Sequence, residues 1–215
     1  MKPTSLFPTL TLFLSALLLA GCGGGSSTTP GQRSLIGGSL QGTPLSLSQV
    51  VSTFAGTARG YGSADCVVGT AATFYCPSGV TTDGTNLFVL DTNNCTIRKV
   101  VIATGEVTTL TGTVGIYGHA DNVLGSGGTT FNAPFGITTD GTNLYVADTI
   151  NHQIRKVTIA TGAVTTLAGD WRFGGGYLDS TPGLSLALFD TPLGITTDGT
   201  NLYVADTYNH LIRKS

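Results

Sequence analysis

The chain has 215 residues, 31 of them glycine, with 12 acidic against 10 basic side chains and a net charge of −2. Nothing in that balance supplies a phosphate-neutralising cluster, which excludes a polybasic nucleic-acid binder. With 40% of residues apolar, an acidic disordered chain is excluded too. The many Gly and Thr residues and the single glutamate, Glu106, point to an all-β protein rich in turns.

Lys2 precedes an apolar run, Leu10 to Ala20, that has the length of a signal-peptide core and is too short to span a bilayer as a helix. Leu19-Ala20-Gly21-Cys22 follows directly. Charge, apolar run, small residues and cysteine in this order resemble the lipobox of bacterial lipoproteins. The resemblance implies that residues 1–21 are removed, that Cys22 carries the lipid, and that the protein is membrane-anchored in the cell envelope. Gly23 rather than Asp after the cysteine favours the outer membrane by the same resemblance. Residues 22–46 are rich in Gly, Ser, Thr and Pro and read as a flexible tether.

From residue 47 to 215 the sequence repeats itself. Asp83, Asp140 and Asp198 mark three copies, 57 and 58 residues apart. Each copy reads as four short strands, a to d. Strand a is Gly-Val/Ile-Thr-Thr, and Asp-Gly-Thr-Asn makes a tight hairpin turn into strand b, Asn-Leu-Phe/Tyr-Val. Strand c is Thr-Ile-Arg-Lys-Val, Gln-Ile-Arg-Lys-Val or Leu-Ile-Arg-Lys-Ser, and strand d is the Val-Thr-Thr-Leu element at Val107 and Val164. Four antiparallel strands per repeat imply a β-propeller blade. Pro-x-Gly-Ile, Asn-Leu-Tyr-Val-Ala-Asp and Asn-His-x-Ile-Arg-Lys resemble the NHL-repeat family over about residues 50–215. The first copy departs from the pattern, with Cys95 where the others carry His152 and His210.

The fold expectation is therefore an all-β, NHL-type propeller with three four-stranded blades. A d-type element, Val51–Gly56, comes first, and the last copy ends on strand c. Propellers of this kind have about six blades. Two readings stay open: a homodimer in which each chain gives its first strand to the other's last blade, or a piece of a longer propeller.

The segments between strands d and a are long, at 57–76, 113–133 and 170–191, and segments of that length are usually functional or disordered. They are expected to form a ligand-binding face together with the b–c loops. Tyr61, Tyr117 and Tyr177 are candidate contacts for a protein or carbohydrate ligand, since tyrosine offers a rigid ring with a polar tip. Asp65, Asp121 and Asp179 are a second candidate set, with calcium as the ion that three carboxylates would gather; their bland reading is turn-forming aspartate. His152 and His210 lack zinc-ligand spacing and read as part of the repeat. Asp91, Asp148 and Asp206 lie seven residues before Arg98, Arg155 and Arg213, a spacing that pairs them across the b–c hairpin. Of the cysteines beyond Cys22, a Cys76–Cys95 disulfide is favoured and Cys66 is left over.

No nucleophile elbow, zinc-protease or phosphate-loop motif is present. The leading functional expectation is thus a binding module. The alternatives are a metal-dependent lyase or lactonase-like enzyme, implied by the wider propeller group, and a structural assembly piece.

Overall fold

A computed structural model describes residues 50–125, 128–180 and 187–215. The signal segment 1–21, Cys22 and the tether 22–46 lie outside the described residues.

The repeats fold as expected. The first sheet holds β1 (Pro77–Thr82), β2 (Asn86–Asp91), β3 (Thr96–Val101) and β4 (Val107–Gly112), in that order and antiparallel. The second repeats it with β5 (Pro134–Thr139), β6 (Asn143–Asp148), β7 (Gln153–Thr158) and β8 (Val164–Ala168). The third has β9 (Pro192–Thr197), β10 (Leu202–Asp206) and β11 (Leu211–Lys214), so β11 is a free edge among the described residues.

Each a–b turn is locked by its own aspartate. Asp140 Oδ1 accepts the Thr142 and Asn143 backbone N–H groups at 2.8 and 2.6 Å, and its other oxygen accepts the Tyr145 hydroxyl at 2.8 Å. Gly141, at φ 87, takes the left-handed position the turn requires. Partial burial pushes the Asp140 carboxyl up, but the bonds from Asn143, Thr142 and Tyr145 outweigh it and bring it down to about 2. A carboxyl held below its ordinary 3.8 stabilises the fold at higher pH, and that contribution fades as pH falls through 2. Asp140→Asn is therefore expected to lose stability at pH 5 and to close the gap with the parent near pH 2. Thermal midpoints measured from pH 2 to 6 check this; a gap that is constant across the range contradicts it.

The sheets pack through their faces. Leu90 and Ile97 of the first sheet meet Phe131, Ile137, Leu144 and Val146 around the second. Ala147 and Ile154 of the second sheet meet Phe189 and Val204 of the third. Full burial of each large side chain contributes about 1.5–3 kcal/mol. The inner strands approach so closely that a Cβ on Gly136 of β5 would lie 2.2 Å from the Leu193 carbonyl oxygen of β9.

Two expectations are corrected. Val51–Gly56 forms no strand: Gly56 bonds the Gly69 carbonyl and Ala55 packs on the face of the first sheet. The long d–a segments are not open loops. The first two fold along the outer edges of the sheets they precede and double back. Cys66 exchanges two backbone bonds with Val107 at the start of β4, and Asn122 does the same with Val164 at the start of β8. These segments cover edge strands that would otherwise present free backbone groups.

Candidate functional site

The repeated arginine is the centre of each blade. Arg98 is fully buried, with its guanidinium carbon 5.2 Å from the Phe74 ring centroid. It donates to Asp91 Oδ2 at 3.0 Å, to Asp65 Oδ1 at 2.6 Å and to the Thr73 and Ala64 carbonyls at 3.0 Å each. Arg155 repeats this over Phe131, bonding Asp148 at 2.7 Å and Asp121 at 2.7 Å. Arg213 repeats it over Phe189 with Asp206 at 2.9 Å and Asp179 at 2.6 Å. The seven-residue Asp-to-Arg spacing is thus an ion pair in each blade, fully buried in the first two and partly buried in the third. The first aspartate also accepts the asparagine of the b–c turn, as in Asn151 Nδ2 to Asp148 Oδ2 at 2.8 Å.

The candidate cation set dissolves on this geometry. Asp65, Asp121 and Asp179 do not converge: each is held by the arginine of its own sheet, and Asp65 and Asp121 also accept from Thr109 and Thr166 on the outer strands. Among the described residues, no group of three His, Cys, Asp or Glu side chains is placed to hold a metal ion. The calcium expectation and the metal-enzyme alternative therefore find no donor set there.

The Cys76–Cys95 disulfide is also corrected. Cys66, Cys76 and Cys95 are free thiols. Cys95 is fully buried, with Sγ directed to the Thr92 carbonyl at 3.6 Å, whereas Cys76 is exposed. Burial pushes the Cys95 thiol above its ordinary range. Cys95, His152 and His210 share one backbone role: each closes a one-turn 3-10 helix in the left-handed region, at φ 55–58. His152 Nδ1 accepts the Thr191 N–H at 3.0 Å.

Tyr61, Tyr117 and Tyr177 are all exposed. They lie at the end of the sheets where the b–c turns sit, because Asn94, Asn151 and Asn209 of those turns donate to the neighbouring Gly62, Gly118 and Gly176 carbonyls at 2.7–2.8 Å. That shared bond fixes the register. Tyr61 and Tyr117 precede their glycine, while Tyr177 follows its own and occupies the place of His119. Tyr61 leans on Tyr75, with ring centroids 5.4 Å apart.

One feature went unread in the sequence. His119 stacks face to face on Trp171, with centroids 3.8 Å apart and planes 11° from parallel, and both rings are exposed. Trp171 opens the 3-10 turn Trp171–Phe173, whose entry Asp170 caps by accepting the Arg172 N–H at 3.0 Å. A signal was available: this is the chain's single tryptophan, and it stands in the d–a segment that departs most from the repeat.

No protein-family model matches the chain. NHL repeat-containing protein 2 of Bos taurus is 38% identical over 144 residues, which cover 59% of this chain and 18% of that protein. The chain thus spans less than a fifth of that relative. An auxiliary nutrient binding protein from Bacteroides thetaiotaomicron superposes with a TM-score of 0.52 at 26% identity, over 64% of this chain and 36% of that one. One of the same description from Bacteroides ovatus gives 0.55 at 22% identity, over 69% and 39%. The chain accordingly has homologues among NHL-repeat proteins, and its all-β sheets are built as those of β-propeller-like structures are.

Proposed function

We propose that this chain is a non-enzymatic binding module, lipid-anchored outside the cytoplasm through Cys22, that takes a carbohydrate at the b–c turn end of its sheets. The observation that carries the reading is the exposed His119–Trp171 stack, set on the side of the molecule that also presents Tyr117. A flat aromatic surface, with the Asp170–Arg172 pair beside it, suits the apolar faces and hydroxyl edges of a sugar ring. The platform is positioned by a capped 3-10 turn and by the Asn151 bond to Gly118, so little ordering remains to be done on binding. The likeness to nutrient-binding structures supports the same class of role. Titration of the purified chain against a panel of soluble glycans tests it. Trp171→Ala is expected to weaken the binding glycan by about tenfold or more while leaving the melting temperature in place. Binding unchanged by Trp171→Ala, and unchanged again when Tyr61, Tyr117 and Tyr177 are all replaced by alanine, overturns it.

A further inference from the structure

The rim of the His119–Trp171 stack departs from the repeat. After the glycine that ends each d element, the first two d–a segments read Thr57-Ala58-Arg59 and Thr113-Val114-Gly115, and the third reads Asp170-Trp171-Arg172. The threonines have a structural task. The Thr57 hydroxyl reaches the Thr70 and Ala72 carbonyls at 3.1 Å each, and the Thr113 hydroxyl donates to the Thr129 carbonyl at 2.9 Å, so each ties the start of its segment to the returning limb. An ionised aspartate has no proton to give and cannot make that bond. Asp170 turns to Arg172 instead. It accepts the Arg172 backbone N–H at 3.0 Å, the Nε proton at 2.9 Å and a proton of Nη2.

The clamp is one-sided. The Asp170 side chain is 8% exposed and the Arg172 side chain 68%, so the pair shows solvent its guanidinium and hides its carboxylate. The bonds from Arg172 hold the Asp170 carboxyl below its ordinary range, which keeps it charged and the grip intact at neutral pH. His119 lies within electrostatic reach of the same carboxylate, which sets the pair beside the stack. The neighbouring Asp121 does not compete for Arg172, since Arg155 and Thr166 take it. A guanidinium has two edges that each offer a pair of parallel N–H groups to a carboxylate. Asp170 occupies the Nε–Nη2 edge. Nη1 has no partner among the described residues, so the Nη1–Nη2 edge stands open and already oriented.

We infer that the sugar taken by this platform is an acidic one, a uronic acid residue whose carboxylate accepts two parallel hydrogen bonds from the open edge of Arg172. The inference rests on the carbohydrate reading above and narrows it. The sugar ring packs on the aromatic pair, and the carboxylate on its rim meets the guanidinium of the residue next to Trp171. A neutral sugar offers a hydroxyl, which fills only one of the two donors; a carboxylate fills both. Because Asp170 offsets part of the positive charge, the selection is by the geometry of the fork more than by attraction at a distance. The arginine is clamped before the ligand arrives, so little side-chain freedom is lost on binding.

Calorimetric titration of the purified chain tests this with three probes: oligomers of glucuronate and galacturonate, the same oligomers after reduction of every carboxyl to a primary alcohol, and sulfated forms of the reduced set. The acidic oligomer is expected to bind about tenfold tighter than its reduced counterpart. Arg172→Gln should bring the acidic oligomer down to the level of the reduced one and leave binding of the reduced one in place. Trp171→Ala should weaken both. The ratio of acid to alcohol in the parent chain needs no substitution, so it stands even where Arg172→Gln fails to fold. An acidic oligomer that binds no tighter than its reduced form, an Arg172→Gln chain that binds it as the parent does, or a sulfated form that binds equally well overturns the inference while neutral binding through Trp171 keeps the carbohydrate reading. A chain that binds no glycan of any kind overturns both.

Discussion

Arg155→Met is expected to destabilise the protein by about 3–5 kcal/mol, the cost of leaving one member of a buried ion pair without the other. Asp148 is fully buried and would keep only the Asn132 and Asn151 donors, while the Thr130 and Ala120 carbonyls would lose their partner. Asp121 would lose its Arg155 partner and keep only the Thr166 donors of β8. The loss should also depend on pH. Burial pushes the Asp148 carboxyl up to about 6 in spite of the Arg155 charge beside it. For a carboxyl held above its ordinary 3.8, the linked stability is full at low pH and is lost as pH rises through the folded value. Without Arg155 the folded value rises further, so the gap to the parent should be wide at pH 7.5 and narrow at pH 4.5. Urea denaturation at the two pH values reads this directly; a loss under about 1 kcal/mol at pH 7.5 would place the ion pair among contacts of surface strength.

The second large effect is expected at Phe131→Ala, about 3–5 kcal/mol. The ring is fully buried between the first two sheets, and the Arg155 guanidinium lies 5.3 Å from its centroid. Removing it opens a cavity on one side and takes the floor from under the guanidinium on the other. The repeat supplies its own control, since Phe74 holds the same place in the first blade but is only partly buried, with no sheet packed beyond it among the described residues. Phe74→Ala should therefore cost less than half as much. Because Phe131 and Arg155 touch, the double variant should lose less than the sum of the singles. Equal losses at Phe74 and Phe131 would contradict the view that sheet-to-sheet packing dominates.

The strands and hairpins were legible because they are local. Asp-Gly-Thr-Asn carries its turn in four residues, and the alternation of Asn-Leu-Tyr-Val-Ala-Asp carries its strand. The Asp91-to-Arg98 pairing was legible for the same reason, as it crosses a single hairpin. What the sequence hid lies between residues far apart. Asp65 meets Arg98 across 33 positions and Thr109 across 44, so its spacing says nothing of a staple and it reads as a turn residue or an ion ligand. The length of the d–a segments was visible but their course along the outer edge was not, since it is set by contacts far apart in sequence, such as the backbone bonds of Cys66 to Val107 and Asn122 to Val164. Cys76 and Cys95 looked like partners by position in the chain, yet the left-handed turn at Cys95 aims its sulfur inward. The His119–Trp171 stack joins two segments that belong to different blades, and no periodicity announces it.

The three Asp-Gly turns bear on how this protein ages. Asp-Gly bonds are the sites where chains most readily isomerise, by attack of the glycine amide nitrogen on the neighbouring aspartyl carbon. Here that nitrogen is engaged each time: Gly84, Gly141 and Gly199 donate to the Thr82, Thr139 and Thr197 hydroxyls at 2.9–3.0 Å. The carboxyl it would attack is tied to the next two amides and kept ionised, which makes it a poor electrophile. The threonine that closes strand a in every repeat thus does more than shape a hairpin. It withholds the nucleophile from a slow chemical clock.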